Sequence, residues 1–267
     1  VGIASVDRSQ HGHHGIERLE AAGVQVEHLP CPEARELNQG FFSRTERKRP
    51  WLRIKLAMSL DGRTALGNGQ SKWITSTEAR DDVQVWRARA CAVLTGSGTL
   101  LADNPRLTVR LPDPHTVFST PLRVVLDQHL KGDANAHVLD GAAPTLVFHG
   151  PGAQPLDPPP AGVRFRQVGL DGEGLVLRQV MTVLGEEGCN EVQVEAGPVL
   201  CGAFAAAGLV DEWLVYIAPV FLGSDARPLL ALDGLTDLGQ AQPLSIIEQC
   251  LVGADIRVRL RPASALA

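Results

Sequence analysis

Two glycine-rich turns stand where a strand-like run passes into a helix-like one. The first, Thr95-Gly-Ser-Gly-Thr99, follows the apolar run Cys91-Ala-Val-Leu-Thr95, and the second, Glu195-Ala-Gly-Pro198, follows Glu191-Val-Gln-Val194. Glycine at such a turn lets backbone approach a ligand, and the helix start offers free N–H groups and a positive dipole end to a phosphate. Each turn alone also reads as a tight connection, because the first lacks the third glycine of a dinucleotide fingerprint and no P-loop occurs. Two in one sheet point to a nucleotide or dinucleotide ligand. Arg87 lies on the helix predicted after Ser76, and Arg106 and Arg110 flank Leu107. With Ser71 these arginines make a set that binds phosphate bidentately, or else they are solvated or paired with Asp81 and Asp82.

Other segments carry less. Met58-Ser-Leu-Asp-Gly-Arg-Thr-Ala65 turns at Asp61-Gly62, and the polar loop Gly67 to Thr75 reads as a surface hairpin anchored by Trp73. His11-Gly-His-His14 has no Glu two residues on, and Pro30-Cys31 has no second Cys, so neither fits a zinc deaminase site and no metal is expected.

The elements that must position these residues alternate between strand and helix. Strands are predicted at Leu52–Ala57, Cys91–Thr95, Leu122–Leu126, Thr145–Phe148, Glu191–Val194, Asp211–Ala218 and Ile256–Leu260. Helices are predicted at Thr77–Ala90 behind the N-cap Ser76, at Leu175–Glu186 and at Val199–Gly208. This order implies an α/β fold with a mostly parallel sheet covered by helices on both faces. The first forty residues read as short strands at Val1–Val6 and Val24–Glu27 with helices at Gly15–Ala22 and Glu33–Phe42, too little to bury a core alone. Five charges among Ser43 to Pro50 mark a linker.

Composition excludes several classes. Apolar residues make up 44% and charged residues 21%, and 25 basic residues face 30 acidic ones. That is ordinary globular composition without the basic face of a nucleic-acid binder. No apolar run is long enough to span a bilayer, and the chain opens at Val1 with nothing like a secretion signal. Five scattered cysteines make no disulfide framework, so a reduced, cytoplasmic protein is expected. The start at Val1 suggests that residues upstream are missing.

Lys55-Leu-Ala-Met-Ser-Leu-Asp-Gly-Arg-Thr-Ala65, Ser71-Lys-Trp-Ile-Thr75, the run from Thr99 to Arg110 and Glu195-Ala-Gly-Pro198 resemble, in order, the reductase domain of the bifunctional riboflavin-biosynthesis deaminase–reductases. Leu209-Val-Asp-Glu-Trp213 and the run from Tyr216 to Ala226 extend the likeness. The resemblance divides the chain into a C-terminal remnant of the deaminase domain (1–42, zinc half absent), a linker (43–50) and an NADPH-dependent reductase domain (51–262). It implies a dihydrofolate-reductase-like fold, a homodimer, and reduction of the ribose of 5-amino-6-(5-phosphoribosylamino)uracil, with deamination left to a longer parent chain.

Carried over residue by residue, the resemblance implies that Ala57, Trp73, Thr99 and Asp103 contact NADPH, with Gly197, Pro198, Val199 and Leu200 holding it at a helix start. Ser71, Arg87, Leu107, Arg110 and Glu195 would bind the phosphorylated pyrimidine, the serine and two arginines around its phosphate. Asp103 is the catalytic candidate, orienting the ribose or a proton-donating water. Gln128 stands where the family can carry a serine at the cofactor site. A same-fold reductase of a pterin or other small carbonyl, and a silent nucleotide-binding module, stay open as alternatives.

Overall fold

The computed structural model describes residues 15–263, apart from 28, 30, 114 and 173. Nine strands form its main sheet: β1 (Trp51–Ser59), β2 (Ala92–Gly96), β3 (Leu122–Leu126), β4 (Thr145–His149), β5 (Val163–Gln167), β6 (Glu191–Val194), β7 (Glu212–Ala218), β8 (Leu244–Val252) and β9 (Asp255–Pro262). Their order is β8-β9-β7-β1-β6-β2-β3-β4-β5. The run β6-β2-β3-β4-β5 is parallel, as is β7 beside β1, while β9 and β8 close one end antiparallel. The mixed, mostly parallel α/β sheet expected from the sequence is therefore present.

The chain divides into two units, one of Val1–Trp51 with Met181–Asn190, the other of Leu52–Val180 with Glu191–Ala267. The larger unit holds the predicted ligand-binding residues. After α1 (Gly15–Ala21), α2 (Pro32–Leu37) and α3 (Gln39–Arg47) of the smaller unit, its helix α4 (Thr77–Arg89) starts where the sequence places it: the Ser76 hydroxyl accepts from the Ala79 N–H at 3.2 Å. Two short helices, α5 (Ser97–Asp103) and α7 (Pro198–Ala206), begin directly after β2 and shortly after β6, with α6 (Leu177–Glu186) between them in the chain. Branched side chains from β2 to β5 pack with Leu100 and Leu107 into one core cluster.

The smaller unit departs from expectation. Val24 to Glu27 forms no strand, and the predicted helix over Glu33–Phe42 is two helices, Pro32–Leu37 and Gln39–Arg47, interrupted at Asn38. The Asn38 amide turns back to donate to the Ala34 carbonyl at 2.8 Å, which ends the first helix by competing with its backbone. The second helix continues through Ser43 to Arg47, so most of the charge run read as a linker is helical. Its charges are taken up by neighbours, Arg47 donating to the Ser43 hydroxyl at 2.6 Å, Arg44 to Asn190 at 2.6 Å, and Glu46 accepting from Arg35 at 3.1 Å. The predicted Val1–Val6 strand and the His11–His14 cluster lie outside the described residues.

Two strands of the main sheet have no counterpart in the sequence reading. β5 follows a Pro-rich loop and is only five residues long, and β8 is an edge strand with a register shift between Ile246 and Glu248. The apolar stretch Trp213–Ala218 is interior to the sheet, paired with β1 on one side and β9 on the other. Among the described residues no helix is long and apolar enough to cross a membrane.

Candidate active site

Side chains alternate across a strand, so Arg53, Lys55 and Ala57 share one face of β1, as do Glu191 and Gln193 on β6 and Glu212, Leu214 and Tyr216 on β7. Such a face would ordinarily be wet, but here Ala79, Val83 and Trp86 of α4 pack against Leu214 and Tyr216. Charges on it are therefore buried and must be paired. Arg53, fully buried, donates to Glu212 at 2.6 Å and to Glu191 at 3.1 Å.

One turn further along lies a second charged group. Arg87 donates from Nε and Nη2 to the two oxygens of Glu195, each at 2.7 Å, and from Nη1 to the Thr108 carbonyl at 2.9 Å. Gln193 Nε2 also donates to Glu195, at 2.9 Å. Burial pushes the Glu195 carboxyl up, but Arg87, then Lys55 and Gln193, outweigh it and hold it at about 2. Lys55 moves the other way: burial depresses its ammonium and Arg87 adds to this, against the pull of Glu195. Arg110 is likewise lowered by burial first and then by Arg87, while its backbone N–H is fixed by Gln84 at 3.0 Å. Three cations thus share one carboxylate, an arrangement with positive charge to spare for an anion.

A cavity of about 1170 Å³ opens at Ala196, the residue after Glu195. Both glycine turns line it: Gly96, Ser97, Gly98 and Thr99 at the start of α5, and Ala196 to Leu200 at the start of α7. Their backbones are tied together, since the Glu195 N–H donates to the Leu94 carbonyl at 2.8 Å and the Thr95 hydroxyl donates to the Glu195 carbonyl at 2.7 Å. A Cβ built on Gly98 or Gly197 meets no protein atom within 4 Å, so both face space a ligand can fill. The size of the cavity and its two open glycine turns fit a nicotinamide dinucleotide.

Thr99, Gly197, Pro198, Val199 and Leu200 line this cavity together with Gln128, whereas Ala57, Trp73 and Asp103 lie outside its lining. Trp73 is 70% exposed, with the Arg80 guanidinium 4.5 Å above its ring. Asp103 is exposed and pairs with Lys72 at 3.2 Å. Ser71 is half-buried in the loop before Trp73. Leu107 sits with its side chain in the core, 3% exposed, on a backbone bent into the left-handed region at φ 51°. Arg87 is neither solvated nor paired with Asp81 or Asp82, because Asp82 is taken by Tyr216 and Arg257. Arg106 turns away to Asp140 at 3.2 Å. Lys55 is the residue the sequence reading missed; its signal was the lysine at an inward position of a strand that the sheet order makes central. Among the described residues no cluster of His, Cys, Asp and Glu could hold a metal.

Residues 50–252 match the RibD C-terminal domain. The chain is 40% identical over 256 residues to the riboflavin biosynthesis protein RibD of Escherichia coli (strain K12), an alignment covering 92% of this chain and 69% of that protein. The chain belongs to the RibD family. Among solved structures, form 1 of Acinetobacter baumannii RibD superimposes with a TM-score of 0.82 at 35% identity, over 94% of this chain and 69% of that one. A Thermotoga maritima protein described as a diaminohydroxyphosphoribosylaminopyrimidine deaminase/5-amino-6-(5-phosphoribosylamino)uracil reductase gives 0.82 at 26% identity, over 98% and 71%. The ordered motifs from Lys55 to Ala226 are therefore those of a RibD-family reductase domain.

Proposed function

We propose that this riboflavin-biosynthesis reductase uses NADPH to reduce the ribose of 5-amino-6-(5-phosphoribosylamino)uracil to the ribityl product. The observation that carries the reading is the surplus of positive charge at Lys55, Arg87 and Arg110 around Glu195, the residue just before the turn Ala196 to Leu200 that lines the dinucleotide-sized cavity. A phosphorylated substrate needs that surplus; a neutral pterin or simple carbonyl does not. Residues 51–262 act as the reductase domain, after a deaminase-domain remnant at 1–42 and the connecting segment 43–50; the domain match over 50–252 supports this division.

Thr99 and Gly197 to Leu200 would hold NADPH, with Ala57, Trp73 and Asp103 completing its contacts, and bound NADPH supplies the hydride for C1 of the ring-opened sugar. Ser71, Arg110, the remaining donors of Arg87 and the Leu107 backbone bind the substrate around its phosphate. Glu195 accepts from the polar pyrimidine edge while staying ionised. Lys55 Nζ, its proton loosened by burial, passes that proton to the heteroatom on C1 as the carbon is reduced. Asp103 orients the ribose or a water near the same centre.

A homodimer is part of the proposal. β8 is the edge of the sheet, and Ile246 and Leu251 on it are 62% and 75% exposed. They pair with Leu260 and Ile256 of β9, so two apolar cross-strand rows face outward and need a cover. Five free cysteines suit a reducing cytoplasm.

The test is NADPH oxidation by this chain with the deaminated phosphoribosylamino-pyrimidine, with the still-aminated precursor and NADH in parallel. Turnover with the first substrate and NADPH is expected. Cofactor binding without turnover of either pyrimidine would sink the assignment. In the same assay Asp103→Asn at wild-type turnover would remove Asp103 from the mechanism.

A further inference from the structure

Tyr216 is the only tyrosine in the chain and is completely buried. Its hydroxyl donates to Asp82 Oδ2 at 2.5 Å, and Arg257 donates to both oxygens of Asp82 at 3.0 and 2.8 Å. The ring centroid of Tyr216 lies 5.8 Å from Lys55 Nζ. Packing alone, against Ala79, Val83, Trp86 and Leu214, would accept any large apolar side chain here. It does not account for a ring anchored at its far end by a carboxylate and paired over its face with the lysine of the site. A desolvated ammonium over an aromatic face is held by the quadrupole of the ring, an attraction that favours the charged form.

We propose that Tyr216, tethered through Asp82 and Arg257, is a positioning residue that keeps Lys55 charged and aimed at the substrate. The inference rests on the reading in which Lys55 delivers the proton. The charged groups around Lys55 are Glu195 after β6 and Arg87 on α4, with Tyr216 on β7; those around Tyr216 are Asp82 on α4 and Arg257 on β9. Asp82 and Arg87 belong to the same helix, so α4 braces both the ring and the carboxylate that draws Lys55.

The experiment is the pH profile of kcat for the full chain with Tyr216→Leu and Tyr216→Phe, beside Lys55→Met. Losing the ring removes support from the ammonium, so the alkaline limb of Tyr216→Leu moves to lower pH by roughly 0.5–1.5 units. Tyr216→Phe keeps the ring but loses the tether, so its limb moves by less than that of Tyr216→Leu. Should the leucine variant not fold, Tyr216→Met serves as the second ringless side chain with the same expectation. Limbs unmoved in the ringless variants overturn the proposal, as does a shift in Tyr216→Phe equal to theirs, which would assign the effect to the hydroxyl. A Lys55→Met enzyme with parental kcat and limb overturns the reading of Lys55 itself, a result distinguishable from the other two.

Discussion

Arg87 and Glu195 meet fork to fork, two N–H groups on two carboxylate oxygens at 2.7 Å each. Both are carried by the family resemblance as substrate-binding residues, yet in this structure each first satisfies the other. With the Thr108 carbonyl also accepting, three of the five guanidinium donors are taken and two remain for a phosphate. Arg87 therefore has two jobs, and its removal should show both. Arg87→Ala is expected to raise the substrate KM about 30- to 1000-fold, the cost of a charge-assisted bidentate contact, while NADPH affinity changes little. It also leaves Glu195 buried without its partner, a loss of about 3–5 kcal/mol visible in the denaturant midpoint. Arg110→Ala, at an exposed position, should raise KM with the midpoint unmoved. An unchanged KM in both variants would leave Arg87 a purely structural residue.

Acid should unfold the protein through two particular carboxylates. Glu195 is held at about 2 by Arg87 and Lys55 against the push of burial, and Glu212 at about 2 by Arg53 and Arg259 against the same push. A carboxyl whose folded value lies below its unfolded one stabilises the fold fully above the unfolded value, near 4.5, and loses that stabilisation as pH falls toward 2. Between pH 5 and pH 3 the two together should cost roughly 3–4 kcal/mol of unfolding free energy. Urea titrations at the two pH values measure this, and Glu212→Gln should roughly halve the difference. Equal stability at pH 5 and pH 3 would contradict the electrostatic account.

These same residues show where the sequence was legible. Hydrophobic runs bounded by turn residues located β3 and β6 to the residue and the N-cap Ser76 located α4, because those signals are local. The two glycine turns were recognisable for the same reason, and the structure brings them to one cavity. The Arg53-Ile-Lys55 alternation located the strand but not the fate of its charged face; only the sheet order, which puts β1 between β7 and β6 beneath α4, makes that face an interior one. Nothing local marks Leu107 for a left-handed backbone, a conformation that favours glycine or asparagine and is imposed here by its place in the core. Asn38 did carry a signal, a side chain able to compete with the helix backbone, though such residues also sit inside helices.

The two glycines of α7 should separate binding from folding. Gly197 caps the helix at φ −74° and ψ 174°, a backbone any residue adopts, and its Cβ would project into the cavity. Gly197→Val is expected to weaken NADPH binding tenfold or more by filling the cradle. It should lower Tm by no more than about 4 °C, the effect of a poorer N-cap. Gly202, one turn on, faces the backbone of Ala231, into which a Cβ would run. Gly202→Ala should thus lower Tm sharply. NADPH titration followed by cofactor fluorescence, with thermal melts of both variants, checks the contrast. A Gly197→Val protein that binds NADPH as the parent does would take the dinucleotide out of this cavity.

The outer edge of the sheet gives the last test. Ile246 and Leu251 project from β8, which among the described residues has no neighbouring strand on its other side, and each continues an apolar row onto β9. Single exposed apolar residues are common, but aligned rows on a free edge strand invite pairing with another chain. If a second copy covers them, Ile246→Asp with Leu251→Asp places two carboxylates per subunit against their equivalents across a two-fold interface. The variant should elute and sediment as a monomer at concentrations where the parent is a dimer. Its Tm at low concentration should stay close to that of the parent, because neither side chain supports the core. A parent that is monomeric throughout, or a double variant that remains dimeric, would move the interface elsewhere or remove it. Measured turnover of the monomeric variant then tells whether Lys55, Arg87 and Glu195, all supplied by one chain, suffice for reduction without the partner.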